Sequence, residues 1–204
     1  MGYIMVRMYT GQGPVEEALR IAAQELAPKI LEAGGCTRYT VVNFGGNRFG
    51  SVSRYENKAA ADRGAQVAAD WVKSTGAMQG ATLQNVYGGE QIYSRDPNVA
   101  QSIDGKFGTM RIWSSSASAT EAQHAFEQEA QPIIDRSKGL LRYTAFKASD
   151  SQLITLTTAE SREAADEMTR QAREAVAKSG SLLSQVLSGT PQIVDGQIFR
   201  SFTK

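Results

Sequence analysis

The chain is expected to be an α+β protein built from two ferredoxin-like β-α-β-β-α-β repeats, packed sheet to sheet as a pseudo-twofold barrel with its helices outside. Three observations predict this. Residues 28–39 (PKILEAGGCTRY) return as 132–143 (PIIDRSKGLLRY), and Pro28/Pro132, Gly35/Gly139, Arg38/Arg142 and Tyr39/Tyr143 all keep one offset, 104 residues. Both copies show the same order of alternating and helical patterns. The first strand of each copy carries large side chains on both faces, which a sheet face left in water would not.

The elements follow in order. Tyr3 to Thr10 alternates as a strand and is rich in β-formers. Gly11-Gln12-Gly13-Pro14 breaks it, and Pro14 suits a first helical turn, where its missing N–H is not needed. Val15, Ala18, Leu19, Ala22, Leu26 and Ile30 have helical spacing to about Ala33. Pro28 lies inside that helix and predicts a kink, as does Pro132 in the second copy. Gly34-Gly35 ends the helix. Thr37–Phe44 and Phe49–Tyr55 form a hairpin about Gly45-Gly46-Asn47. Asn57 caps a helix reaching about Ser74. Leu83–Tyr93 is a last strand with a bulge expected at Gly88-Gly89. The second copy has strands at Lys106–Ser114, Leu141–Lys147 and Leu153–Thr158. Its helices are Thr120–Arg136 and Glu163–Lys178, and its last strand lies within Val186–Phe202. The domains are therefore 1–95 and 106–204, joined by a polar linker, 96–105, that contains Pro97.

Composition excludes several function classes. A formal net charge of +1 with scattered basic residues argues against nucleic-acid binding driven by bulk electrostatics. No apolar run approaches the roughly 18 residues of a membrane span, and the start lacks the apolar core of a signal peptide. A cytoplasmic protein is the expectation. The single cysteine, Cys36, allows no intrachain disulfide. The single histidine, His124, falls opposite Ala122 and Phe126 on its helix and is expected at the surface. It cannot supply a clustered ligand set, so no metal site is expected.

In the first strand Ile4, Val6 and Met8 share one face, expected to meet the helices. Tyr3, Met5, Arg7 and Tyr9 share the other, matched by Phe107, Thr109, Arg111 and Trp113. With Arg38, Thr40, Ser51, Ser53, Arg142, Thr144, Thr155 and Thr157, that second face is expected to form the seam between the sheets. Arg7, Arg38, Arg111 and Arg142 then make a repeated polar set. It reads either as an anion or carboxylate site or as structural pairing.

The repeat order, this polar-aromatic face and the segment Tyr55-Glu56-Asn57-Lys58-Ala59-Ala60-Ala61-Asp62, leading into an alanine-rich helix that ends Asp70-Trp71-Val72, resemble the dimeric α/β-barrel superfamily. The nearest likeness is to its antibiotic-biosynthesis-monooxygenase-like group, here as a tandem fusion forming a pseudo-dimeric α/β barrel. That resemblance implies a pocket between sheet and helices. It implies one of several chemistries: cofactor-free monooxygenation of polycyclic phenols and quinols, haem degradation, haem peroxidase activity or decarboxylation. The family's frequent histidine after the third strand is missing from Asn57 to Ser74, which speaks against haem degradation. The fold alone leaves the function open.

The residues that would carry a site are Trp71, Tyr39 and Tyr87. The family's oxygenases often place a tryptophan or histidine where Trp71 stands, and the second copy has Ala175 there. Tyr39, alternating with Arg38, is expected on the helix side, as is Tyr143. Tyr87 lies next to the expected bulge. The competing reading is that all three are packing residues. Cys36 has no base near it in sequence and reads as core. No cofactor is expected. The expected partner is a small apolar or aromatic ligand, bound by a self-contained monomer with further self-association left open. The function expected is binding of a small aromatic or quinol-like molecule, with cofactor-independent monooxygenation as its enzymatic form. The alternative is a non-catalytic ligand-binding or structural protein.

Overall fold

The computed structural model describes residues 2–12, 15–76, 78–96 and 102–204. The expected helix-start proline Pro14 and the linker proline Pro97 lie outside them. Eight strands are hydrogen-bonded in the closed order β1-β3-β2-β8-β5-β7-β6-β4, an antiparallel barrel. They are β1 (Tyr3–Thr10), β2 (Cys36–Gly45), β3 (Arg48–Tyr55), β4 (Thr82–Arg95), β5 (Phe107–Ser114), β6 (Leu140–Ser149), β7 (Gln152–Ala159) and β8 (Ser188–Thr203). The helices are α1 (Val15–Ile21), α2 (Ala27–Glu32), α3 (Lys58–Thr75), α4 (Ala119–Ala125), α5 (Gln131–Arg136), α6 (Arg162–Ala177) and α7 (Leu182–Val186).

Two compact units emerge. One runs to Glu90 and includes 102–105 and 196–204; the other begins at Gln91 and takes 106–195. The boundaries fall inside β4 and β8 because those strands are long, 14 and 16 residues.

The expected proline kinks take a definite form. Between α1 and α2 the backbone widens into a π turn, Ala22–Leu26, and the N–H of Ala27 reaches back to the Ala22 carbonyl. Pro28 follows in the first turn of α2. Phe126–Ala130 does the same before Pro132, with Gln131 N–H on the Phe126 carbonyl. One extra residue in the turn displaces the carbonyl that a proline ring would strike. Both helices then end at glycines in the left-handed region. Gly35 (φ +76°) is also a close approach, since a Cβ there would stand 2.5 Å from Ala60 Cβ; Gly139 (φ +73°) faces Ala164 in the same way. Asn57 caps α3 by accepting from Ala60 N–H, and Ser161 caps α6 by accepting from Ala164 N–H.

Three local expectations need correction. The irregularity in β4 falls opposite Met8/Tyr9, where the pairing steps from Asn85 to Leu83, and not at Gly88-Gly89. The last strand, expected within Val186–Phe202, runs Ser188–Thr203, and Val186 instead ends α7, a five-residue helix capped by Ser181. The faces of β1 and β5 are the reverse of those expected. Met5 packs in the same cluster as Val15, Leu19 and Ile30 of the helices, with Tyr3 and Tyr9 against it. Trp113 packs with Phe126 and Ile134. By alternation, Ile4, Val6 and Met8 in one unit and Met110 and Ile112 in the other point away from the helices, and all are buried.

Candidate functional site

The site is built on the helix-facing side of the first unit. Register sets its floor. Arg7 lies between Ser51 of β3 and Val86 of β4, Met5 between Ser53 and Gly88, and Tyr9 between Phe49 and Leu83. Tyr39 stands beside Ser53 and Val41 beside Ser51. Directly paired residues share a face, so Arg7, Tyr9, Tyr39, Ser51 and Ser53 form one surface. Tyr9 stacks on Phe49 with centroids 5.5 Å apart. At the β4 edge Leu83 and Val86 are half exposed and supply an apolar rim.

Helix α3 covers this floor. A Cβ on Gly64 would stand 2.6 Å from the Tyr55 hydroxyl, so the glycine makes room for that ring. Trp71 lies seven residues further along the same helix face, about 10 Å along its axis. It is 4 % exposed, and its indole N–H has no acceptor. The Ser53 and Tyr55 hydroxyls are buried and close no well-formed hydrogen bond either. Buried donors without partners are rare enough in native proteins to mark a place for a ligand or water.

The decisive comparison is between the two arginines 104 residues apart. Arg111 is 1 % exposed. Its guanidinium makes four hydrogen bonds: Nε (2.9 Å) and a terminal nitrogen (2.6 Å) donate to Thr169 Oγ1, the other terminal nitrogen donates to Thr157 Oγ1 at 2.7 Å, and the Ala165 carbonyl accepts at 3.1 Å. Burial pulls its pKa down. Arg7 is 9 % exposed but stands among different neighbours. Ala65 occupies the place of Thr169 and offers no side-chain acceptor. Ser53 replaces Thr157, and Gly64 replaces Met168. What surrounds Arg7 instead is a set of phenols. Tyr9, Tyr39 and Tyr55 are each pushed up by burial, and the Arg7 charge pulls each back down. Among the described residues no carboxylate forms an ion pair with either arginine. One arginine is thus a satisfied structural cation. The other is a buried cation that shares a loose hydrogen bond with the Tyr55 hydroxyl and keeps further donors to spare.

The expected site residues therefore divide. Trp71, Tyr39 and Arg7 come together in this layer. Tyr87 does not: it pairs with Val6 and shares that residue's face, away from the helices. The repeated arginine set also splits. Arg7 and Arg111 lie on the helix side and not at the seam, while Arg38 and Arg142 face away. Arg142 Nε stands 3.8 Å from Asp96 Oδ1. Ser51, Ser53, Thr155 and Thr157 likewise line the helix side. Cys36 is buried, its thiol pushed up to about 11 by desolvation, and its Sγ donates to the Arg38 carbonyl. That makes it a poor nucleophile. His124 is exposed. Among the described residues no cluster of metal-ligating side chains occurs. Tyr9 and Ser53 were expected at the seam, and Tyr55 and Gly64 were not read as site residues from the sequence. A position-by-position comparison of the two copies, Ala65 against Thr169 and Gly64 against Met168, holds the signal.

Two predictions follow from this layer. Gly64→Ala should destabilise by about 1–3 kcal/mol, since the new methyl displaces a packed Tyr55; urea denaturation measures it, and unchanged stability would mean Tyr55 swings aside freely. Burial pushes the Tyr143 phenol up to about 12, against the pull of Arg111 and Thr155. A folded value above the unfolded one, near 10, means the stabilisation is complete below pH ~10 and is lost as pH rises towards ~12. The loss should be on the order of 2–3 kcal/mol. Tyr143→Phe should flatten that part of the stability–pH curve.

No family model matches the chain, and no curated protein matches it closely enough to report. Solved structures do. One, described as a "putative monooxygenase" from Fusobacterium nucleatum, is 12 % identical with a TM-score of 0.71, over 100 % of this chain and 94 % of that one. Another of the same description from Lactobacillus acidophilus is 14 % identical with a TM-score of 0.68, over 99 % and 96 %. An anthrone oxidase-like protein is 9 % identical with a TM-score of 0.63, over 99 % and 93 %. At these identities the likeness is one of fold: the chain has the dimeric α/β-barrel fold.

Proposed function

We propose that the chain binds a flat aromatic molecule of the phenol or quinol class between α3 and the sheet of its first unit, with a ligand oxygen on Arg7 and the ring beside Trp71. The observation that carries this is the difference between the arginines. Arg111 makes four hydrogen bonds to protein acceptors, whereas Arg7 is buried with Ala65 where an acceptor would stand. A phenolate or carbonyl oxygen is the partner that a guanidinium and an indole N–H both suit. The half-exposed Leu83 and Val86 form the apolar rim a ring would pass.

The enzymatic form of this reading is cofactor-independent oxygenation. Arg7 makes a bound phenol or enol more acidic by stabilising its anion in a dry site. The resulting anion passes an electron to O2, recombination of the radical with superoxide forms a peroxide on the ring carbon, and O–O cleavage with loss of water leaves one oxygen atom there. For an anthrone-type substrate the balance is a CH2 group and O2 giving C=O and H2O: four electrons leave the carbon, one oxygen atom enters the product and the other leaves as water. The anthrone oxidase-like neighbour supports this substrate class. A second reading, binding without turnover, is favoured by the absence of a carboxylate or imidazole from the Arg7, Tyr9, Tyr39, Tyr55 and Trp71 set. Oxygen uptake with anthrone, run beside calorimetric titration, separates them. Uptake with anthraquinone as product supports the oxygenase. Saturable heat without uptake supports the carrier. Neither signal overturns the site. The working unit is proposed to be a single cytoplasmic chain, its two halves a tandem duplication.

A further inference from the structure

Strand β4 meets its two neighbours at different ends. β1 pairs with Thr82–Glu90. β6 is met further on, where the Ser94 hydroxyl stands 3.4 Å from that of Thr144. In the same way β2 is met by the far end of β8, Gln197–Thr203. The near end of β4 has the exposure of an open edge. Thr82, Leu83, Gln84, Asn85 and Val86 are all exposed, and among the described residues no other strand is exposed at five consecutive positions. A strand covered on one face would alternate. From Thr82 to Gly89 the strand holds no charge and no proline, and Leu83 and Val86 are large, apolar and half exposed. Such an edge is a template for another strand.

The order of residues selects the partner. The register of β4 steps from Asn85 to Leu83, which makes Gln84 the extra residue of a bulge. Leu83 and Val86, three positions apart, are thereby turned to one face: the first lies opposite Tyr9 and the second opposite Arg7. Take two copies of this strand, antiparallel, with a twofold axis between Gln84 and Asn85. Leu83 of each copy then faces Val86 of the other, and Gln84 faces Asn85. Apolar side chains meet apolar ones, amides meet amides, and no like charges are opposed. Without the bulge this register would oppose residues of unlike faces. The edge is complementary to itself, as an isologous contact requires. The second unit lacks such an edge. Thr40 meets Ser201 as Thr144 meets Ser94, so the last strands correspond at an offset of 107 residues. The counterpart, 189–193, contains Pro191, which is buried and has no N–H to offer.

We infer that the chain forms a reversible twofold dimer through the Thr82–Val86 edge of β4, which continues the sheet of the first unit into that of a second copy. An edge of this length buries less than the roughly 1,200 Å2 of a standard interface, so the dimer is weak, with a dissociation constant on the order of 10–1,000 µM. Each chain has one such edge, because Pro191 interrupts its counterpart, and association stops at two. The contact rests on β4 alone and is independent of the reading of Arg7.

Sedimentation velocity on the full chain, from about 5 µM to about 1 mM, should show monomer giving way to dimer and to nothing larger. Leu83→Lys sets a charge against Val86 of the other copy. It should weaken the dimer at least tenfold and leave the thermal midpoint of the dilute protein unchanged. The register has its own test, which stays decisive if Leu83→Lys does not fold. A mixture of Leu83→Cys and Val86→Cys chains should form an intermolecular disulfide under mild oxidant, because directly opposed residues lie within disulfide reach. Either variant alone should not, since its two cysteines stand three positions out of register. Cys36 is buried and does not compete. A chain still monomeric at the highest concentration, growth beyond dimer, a dimer untouched by Leu83→Lys, or no cross-link in the mixture would overturn the proposal.

Discussion

Arg111→Ala should lower the unfolding free energy by about 3–5 kcal/mol, seen as a fall in the urea midpoint with an unchanged slope. The substitution removes a side chain that fills the space between β5 and α6. It also strips an acceptor-bound donor from Thr157 and leaves a void. Thr169 is less affected, because its hydroxyl already donates to the Ala165 carbonyl at 2.9 Å. Arg111→Met should recover most of the loss, since an apolar chain of similar length replaces a desolvated charge. If alanine and methionine are equally harmful, the guanidinium's hydrogen bonds matter more than its volume. If both are neutral, Arg111 is not the structural cation its four bonds indicate.

The second large effect is on ligand and not on stability. Arg7→Met should weaken binding of an anthrone or quinol probe by about 10–100-fold, the size of a hydrogen bond to a charged group, while stability shifts by less than ~1 kcal/mol. Arg7 has no Thr169 counterpart to abandon, so removing it leaves few protein groups orphaned. The test is the contrast between two arginines 104 residues apart, one whose loss costs stability and one whose loss costs binding. Wild-type binding by Arg7→Met would end the case for this site. A stability loss matching that of Arg111→Ala would show that Arg7 is structural too.

Much of the fold was legible because its signals are local. Helix ends at Gly34-Gly35, the Asn57 cap and the hairpin at Gly46-Asn47 depend on residues a few positions apart. The prolines announced a disturbance in each first helix, although a widened turn and a kink look alike from sequence. Trp71, Tyr39 and Arg7 were nameable as candidates. The direction of Tyr87 was left open by the bulge expected at Gly88-Gly89; the shift falls at Asn85/Leu83 instead, and a shift's position depends on the partner strand. Helix α7 was missed because Leu182–Val186 is too short to show a helical period, and Glu129, whose carboxylate accepts from its first amides, lies 53 residues away from Leu182.

By itself, the sequence determined that the chain repeats with a spacing of 104 residues, that each repeat has the order β-α-β-β-α-β, and that both faces of β1 and β5 are hidden. It could not determine which face meets the helices. A period of two separates the faces without labelling them, and the usual label, polar outward, disappears when both are buried. Only the tertiary structure decided that Arg7 and Arg111 lie under helices. It also decided that Thr169, 58 residues from Arg111 in sequence, stands where it can satisfy that arginine, while Ala65 at the equivalent position leaves Arg7 with donors to offer. Hydrogen-bond satisfaction is settled between elements brought together by folding, and the difference between a structural and an available arginine lies there.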